Sequence, residues 1–403
     1  MKSLGILIIV VIAGGAASAL AFSYYQPQPE HDIVSGLEDN DSPPVVFENA
    51  TNLTNNEQDS VYGQVVAWKS SVYVVWQDSV SGRNYDIFIK KSNDNGTSFG
   101  EPLNMSNNPG FSEHPQLSAF GSNVYAVWAD NTPGNREVFF ARSADNGTSF
   151  ENARNLSNNT LDSHNQEMAA FANNVYVVWM DQDEQENTNT LFRASNDGGV
   201  TFGRTVNISS QANFGSFPKV AAYGNDVYVT WNVIGDEAND GLYFAKSSDM
   251  GSTFGNVTKL DSDSSGESQV AAYNGTIYII SGGLDSAKVN SLFFIKSSDG
   301  GETFAAPAQI DAGGKFVNPL NVEVVASDDN IAYVAGQVFV SGNEEILLML
   351  VSGSNATSVV NLSKNEKISE CPSIAMAGDN IYVVWEDLTP GNHEVLYAKG
   401  NRI

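Results

Sequence analysis

The chain of 403 residues carries 47 acidic against 20 basic side chains, a formal net charge of −27 and a pI near 4.3, which argues against nucleic acid or an anionic membrane surface as partner, since both require clustered Lys and Arg. A hydrophobic content of 41% with 10% aromatics excludes bulk disorder. Only 17% of residues are charged and 35 are glycine, a composition of short strands joined by turns, while the single Cys371 excludes an internal disulfide and a Cys-based zinc cage.

After Lys2 no charged residue occurs until Glu30, and Leu4 to Phe22 is almost wholly apolar. As a helix this stretch would be about 28 Å long, close to the hydrocarbon thickness of a bilayer. Ala17-Ser18-Ala19 and Ala19-Leu20-Ala21 are also small-x-small cleavage sites. Residues 1–22 are therefore expected to be one apolar N-terminal helix, a signal peptide or a membrane anchor, and either places the chain outside the cytoplasm, secreted or at the cell surface. Residues 23–44, with Gln26-Pro27-Gln28-Pro29, read as a flexible linker. Thirteen Asn-x-Ser/Thr sequons, Asn40 to Asn361, are glycosylation acceptors in an exported chain, although Asn and Ser are also the turn residues of a repeat.

From residue 45 onward the chain repeats itself. Val72-Tyr-Val-Val-Trp76 recurs at Val124, Val175 and Val227, then as Ile277 to Ser281, Ile331 to Ala335 and Ile381 to Trp385. An Ala-rich segment precedes each, from QVVAW at 64–68 to SIAMA at 373–377. A third series, SNDNGTSF at 92–99, recurs at 143, 195, 247 and 297. Four β segments per repeat of about 51 residues predict an all-β, seven-bladed β-propeller of four-stranded antiparallel blades over 45–403. The last repeat lacks a fourth strand, and Val45 to Thr54 is a spare one, so the N-terminal strand is expected to complete the seventh blade and remove the free edges.

The third series is read as scaffolding. Asp94, Asp145, Asp197, Asp249 and Asp299 are placed to cap their own turns. Gly96, Gly147, Gly199, Gly251 and Gly301 supply a positive φ. These turns resemble the Asp boxes (BNR repeats) of the sialidase-like, or neuraminidase-superfamily, propellers. That resemblance implies boxes on one face, and a functional face opposite, built by the loops joining strand d to the next strand a and strand b to strand c. It also implies, for a sialidase, three arginines that clamp the substrate carboxylate, and usually six blades. Only Arg83 and Arg136 fall in b–c loops, and no Arg-Ile-Pro or Arg-Leu-Pro occurs. Classical sialidase chemistry is therefore not expected.

On the functional face Asp78, Asp130, Asp181 and Asp387 follow strand b at one repeated position. They are read either as loop caps or as a ring of carboxylates able to hold a cation or sugar hydroxyls. His114 and His164 in the d–a loops, near Phe111 and Phe214, are with Arg83 and Arg136 the candidate ligand-binding residues outside this set, although their spacing of one repeat also fits a shared structural slot. Asp261-Ser-Asp263-Ser-Ser265-Gly266 matches the opening of a calcium loop, but Ala272 stands where its glutamate belongs. Cys371 is read as a buried thiol. No catalytic residue is nominated and no cofactor is expected beyond calcium. The expectation is a monomeric, exported envelope propeller, non-catalytic, that binds a glycan or protein ligand; a divergent sialidase-like glycoside hydrolase and a passive envelope component are the alternatives.

Overall fold

All five side chains of Val72-Tyr73-Val74-Val75-Trp76 are at most 2% exposed. Successive side chains of a strand point to opposite faces, so the segment is buried on both. Val72, Val74 and Trp76 pack with Tyr382, Val384 and Tyr397, while Tyr73 and Val75 pack with Leu117, Val124, Ala126 and Trp128. A strand covered on both faces requires a sheet on each side of its own, and each repeat meets the same requirement. The result, in the computed structural model, is seven hydrophobic clusters, each bridging two neighbouring sheets.

The structure describes residues 45–80, 84–183, 187–211, 214–234, 239–261, 264–284, 290–310, 321–328, 331–340, 342–352 and 355–402. The apolar leader and the linker lie outside them; among the described residues no helix is long and apolar enough to cross a membrane. Blade 1 consists of strands Ser60–Trp68, Ser71–Val80, Asn84–Ser92 and Leu103–Asn104 (a to d), all antiparallel. Six more blades follow the same pattern, as expected from the repeat. The a strands contact one another in ring order, with Ser369–Ala377 of blade 7 closing onto Ser60–Trp68 of blade 1.

Closure is made by the N-terminus. Val45 pairs with Arg402 and Phe47 with Gly400, and Thr51 pairs with Tyr397, so the last blade takes its outer strand from the beginning of the chain. Val45 is 1% exposed, in the cluster between blades 6 and 7. A Cβ at Gly400 would lie 2.8 Å from the Phe47 ring, which is why a glycine stands there.

Five c–d turns share one geometry. In the first, Ser98 donates to Asp94 through both its amide (2.9 Å) and its hydroxyl (2.6 Å). The Ser92 hydroxyl donates to Asp94 (2.7 Å) and accepts from the Gly96 amide (2.9 Å). These bonds hold the aspartates below the usual carboxylate range; Asp197 sits at about 2 through Thr201 and Ser195, and Asp249 at about 2 through Thr253 and Ser247. The turn glycine also seats each blade on its predecessor. Gly199, at φ +77°, faces Phe140 so closely that a Cβ would lie 2.7 Å from its ring, and Phe202 meets the same ring edge-on at 4.9 Å. Blades 6 and 7 lack the turn, and blade 6 replaces it with a hairpin in which Ser352 pairs with Asn355.

At the end of strand a nearest these turns, Trp68, Phe120, Phe171, Tyr223 and Tyr273 stand side by side from blade to blade, with centroids 4.2 to 5.4 Å apart. Several sequon asparagines have structural work as well: Asn104 Oδ1 accepts from the Asn107 amide and its Nδ2 donates to Asp86, and Asn155 Oδ1 accepts from the Asn158 amide.

Gly199→Ala is expected to cost about 1–3 kcal/mol, from left-handed backbone strain and displacement of Phe140, measured by denaturant unfolding. Asp197→Asn tests the turn carboxylates. A depressed folded pKa contributes stability that is present above the unfolded value near 3.8 and lost as pH falls toward 2. The variant's deficit in melting temperature should therefore be full at pH 7 and shrink between pH 4 and 2.

Candidate functional site

The d–a end of the innermost strands carries a repeated irregularity. Pairing between strands a and b slips at Val61/Gln64, Glu113/Gln116, His164/Glu167, Ser216/Lys219 and Glu370/Ser373. Inside each slip one residue adopts a left-handed backbone: Tyr62 (φ 54°), His114 (54°), Asn165 (51°), Phe217 (52°) and Cys371 (50°). Left-handed φ is costly for side-chain-bearing residues, and bulges re-aim the side chains around them. All five of these residues line one cavity of about 300 Å³ in the centre of the ring. Strain repeated in five blades and spent on one hollow marks that hollow as the candidate site.

Below the bulges each blade contributes one inward residue at a common register: Gln64, Gln116, Glu167, Lys219, Gln269, Glu323 and Ser373. The first six line the cavity, and Ser373 bonds to two of them, Gln64 at 3.1 Å and Glu323 at 3.0 Å. Lys219 lies 2.5 Å from Glu167 and 3.6 Å from Glu267. Burial opposes its charge, but the two carboxylates prevail and hold its pKa above the usual lysine range. Glu323 behaves oppositely: burial first, then the charge of Glu167, pushes it up to about 7, although Ser373 and the Ile374 amide donate to it. Glu167 is also raised by burial, against the pull of Lys219. The wall thus combines three carboxamides and two carboxyl groups raised by burial with one fixed ammonium, and the rim carries the rings of Tyr62 and His114, edge-to-face at 4.3 Å.

A second cluster adjoins Cys371 and Tyr62 at the blade 7 rim. His393 Nδ1 lies 3.7 Å from Glu370 and 3.6 Å from Glu386, and Glu386 accepts the Tyr62 amide at 2.7 Å. Pairing with Glu386 raises the His393 imidazole above its ordinary value. Burial foremost, with Glu386 and Glu370, keeps Cys371 a thiol.

The repeated aspartates do not form an open ring. Asp130 and Asp387 are 1% and 0% exposed. Asp130 accepts from Asn108, Ser112 and the Trp128 indole, and Asp387 from Asn365, Ser369 and Trp385. Asp181 repeats the set with Asn159, Ser163 and Trp179, and Asp78 with Asn56 and Ser60. They pin the d–a loop to the end of strand b. Burial raises Asp78 and Asp181.

The two histidines are not equivalent, a correction to the sequence reading. Both lie inside a strands rather than loops, in Ser112–Phe120 and Asp162–Phe171. Ser112 corresponds to Ser163 by its bond to the strand-b aspartate, so His114 matches Asn165, and His164 matches Glu113. Burial lowers the pKa of both imidazoles, that of His164 to about 4. Arg136 is engaged by Asp162 at 3.1 Å and approaches Glu113 at 3.8 Å. Arg83 and Asp263 lie outside the described residues. Arg142 and Arg154 hold carbonyls of the c–d turn at Gly198 to Val200. Arg204 lies just before strand Val206–Asn207. Asp261 ends strand d of blade 4 and the chain enters strand Ser264–Tyr273 almost at once, so strands stand where a calcium loop of the helix–loop–helix type has helices.

The cavity wall and the blade 7 cluster were missed from sequence. The signal was present for the wall: QVVAW, EMAAF, KVAAY and EVVAS differ chiefly in their first, polar residue. In the blade 7 cluster Glu370 repeats Glu113 and His393 stands where Arg136 does, in Thr-Pro-Gly-Asn-His-Glu-Val against Thr-Pro-Gly-Asn-Arg-Glu-Val, so the only sequence signal was the exchange of arginine for histidine.

No protein-family model matches the chain, and no curated protein does. Among solved structures, a protein of unknown function from Dyadobacter fermentans aligns with a TM-score of 0.55 at 14% identity, over 90% of this chain and 100% of that one. Trypanosoma rangeli sialidase aligns at 0.50 and 11% identity, over 89% of this chain and 60% of that one. A mutant of that enzyme displaying trans-sialidase activity gives 0.51 and 12%, over 89% and 59%. The chain thus spans about three-fifths of the trypanosomal proteins, and the likeness is one of fold: a sialidase-like propeller.

Glu323 supplies a test of the channel's electrostatics. A carboxyl raised in the folded state favours the protonated form, so it penalises folding as pH climbs from the unfolded value near 4.5 through about 7. Glu323→Gln should stabilise the protein by about 1–2 kcal/mol at pH 8 and give no gain at pH 4, read from melts at the two pH values.

Proposed function

We propose that this chain is an exported cell-envelope propeller that binds carbohydrate, without turning it over, in the central cavity on the face opposite the Asp-box-like turns. The observation carrying this reading is the cavity wall. Gln64, Gln116, Gln269 and the carboxylates of Glu167 and Glu323 offer paired donors and acceptors of the kind that sugar hydroxyls need, beside the rings of Tyr62 and Phe217. The cation in the wall is Lys219, already engaged by two glutamates, and no described arginine lines the cavity. That supports a neutral or hydroxyl-rich ligand over one held by a bidentate carboxylate clamp. The leader and the acidic surface support export.

One observation favours the second reading, a divergent glycoside hydrolase. Glu323, raised to about 7, shares the cavity with Glu167, which burial also raises against the pull of Lys219; glycosidases use a pair of carboxyl groups, one of them held protonated as the acid.

Purified protein passed over an array of immobilised oligosaccharides should be retained by at least one glycan. Gln64→Ala combined with Gln269→Ala should weaken retention at least tenfold, with Asp94→Asn, on the other face, leaving it unchanged. Retention by none, or retention indifferent to the cavity substitutions, refutes the binding reading. Turnover of aryl-glycosides that disappears in Glu323→Gln would replace it with the hydrolase.

A further inference from the structure

Three ligand-type side chains meet at the edge of blade 7. Glu370 lies on strand Ser369–Ala377, Glu386 one residue before the end of strand Asn380–Asp387, and His393 directly before strand Glu394–Arg402. One donor atom from each falls within 4.8 Å of the others. His393 Nδ1 is 3.7 Å from Glu370 Oε1 and 3.6 Å from Glu386 Oε2, both too long for hydrogen bonds, and this buried nitrogen has no hydrogen-bond partner. Donors arranged tetrahedrally around an ion at about 2.0–2.2 Å stand roughly 3.3–3.6 Å apart. The spacing here is that of ligands around an ion rather than of a closed ion pair.

The arrangement is held from outside the cluster. The Glu386 side chain is 5% exposed, and its Oε1 takes the Tyr62 amide, leaving Oε2 toward the imidazole. The His393 amide donates to Asp59 at 3.1 Å, and its carbonyl accepts from the Ser60 amide at 2.8 Å. Both ends of the histidine backbone are thus tied to blade 1, across the seam where the ring closes. Such outer bonds orient metal ligands.

We propose that Glu370, Glu386 and His393 form a binding site for a divalent first-row cation, zinc foremost. Two carboxylates neutralise its charge, and the imidazole selects zinc, manganese or cobalt over calcium and magnesium. All three ligands belong to blade 7, and the outer bonds from Tyr62, Asp59 and Ser60 of blade 1 place the site beside the seam where the ring closes. It is separate from the proposed glycan cavity and does not depend on that reading.

The full-length chain, stripped with a chelator, is titrated with Zn²⁺ by calorimetry and with Co²⁺ by visible absorption. One equivalent of each should bind, cobalt should develop d–d bands, and zinc should raise the melting temperature, while excess Ca²⁺ should not compete. His393→Ala and Glu386→Gln should each weaken zinc binding at least tenfold, and His114→Ala should not. Should the buried Glu386 variant fail to fold, Glu370→Gln, at a less buried carboxylate, serves in its place. Absence of stoichiometric zinc binding by wild type, or binding unchanged in folded His393→Ala, overturns the proposal.

Discussion

The structure depends on one constraint, the burial of strand b on both faces. Val72, Val74 and Trp76 face the preceding blade, and Tyr73 and Val75 the following one, so no blade can bury its own apolar residues alone. A linear stack of such sheets would leave one apolar face open at each end; a closed ring leaves none. Closure is therefore an energetic necessity rather than an ornament, and the pairing of Val45–Phe47 with Gly400–Arg402 is what completes it. The turn glycines serve the same end, since Gly147, Gly199, Gly251 and Gly301 each let a c–d turn settle against an aromatic ring of the preceding blade.

Closing the ring brings seven a strands around an axis too crowded for large side chains along much of its length. At one end the crowding is relieved by aromatics that tilt against one another; at the other, the bulges at Tyr62, His114, Asn165, Phe217 and Cys371 widen the ring into the cavity. Polar residues tolerated there are desolvated by the neighbouring blades, which explains why Glu323 rises to about 7 while Lys219 stays charged between Glu167 and Glu267. The same electrostatics follow from neither residue alone. They come from seven register-matched positions facing one small volume.

Repetition and function separate cleanly in this molecule. The residues that recur most faithfully, the turn aspartates and the Asp78, Asp130, Asp181 and Asp387 set, are consumed by local hydrogen bonds. The residues that vary at a repeated position, from Gln64 through Glu167 and Lys219 to Glu323, line the hollow. Glu370, Glu386 and His393 meet because consecutive strands of blade 7 pair in register, Glu370 opposite Glu386 and Asp387 opposite Glu394. A sialidase-like fold is thus shared with proteins at 11–14% identity.

Blade number, strand order and the swapped outer strand were legible in the sequence because each rests on period: a two-residue alternation within strands and about 51 residues between them. The Ser-x-Asp turns were legible for the same reason, their bonds spanning no more than four residues. Register within the bulges was not, and a one-residue slip made His114 and His164 look equivalent when they are not. What only the tertiary structure decided is which side chains from different blades share a volume. Convergence on an axis depends on the tilt and bulging of every inner strand at once, and desolvation, which sets the charge state of Glu323, exists only after the ring has closed.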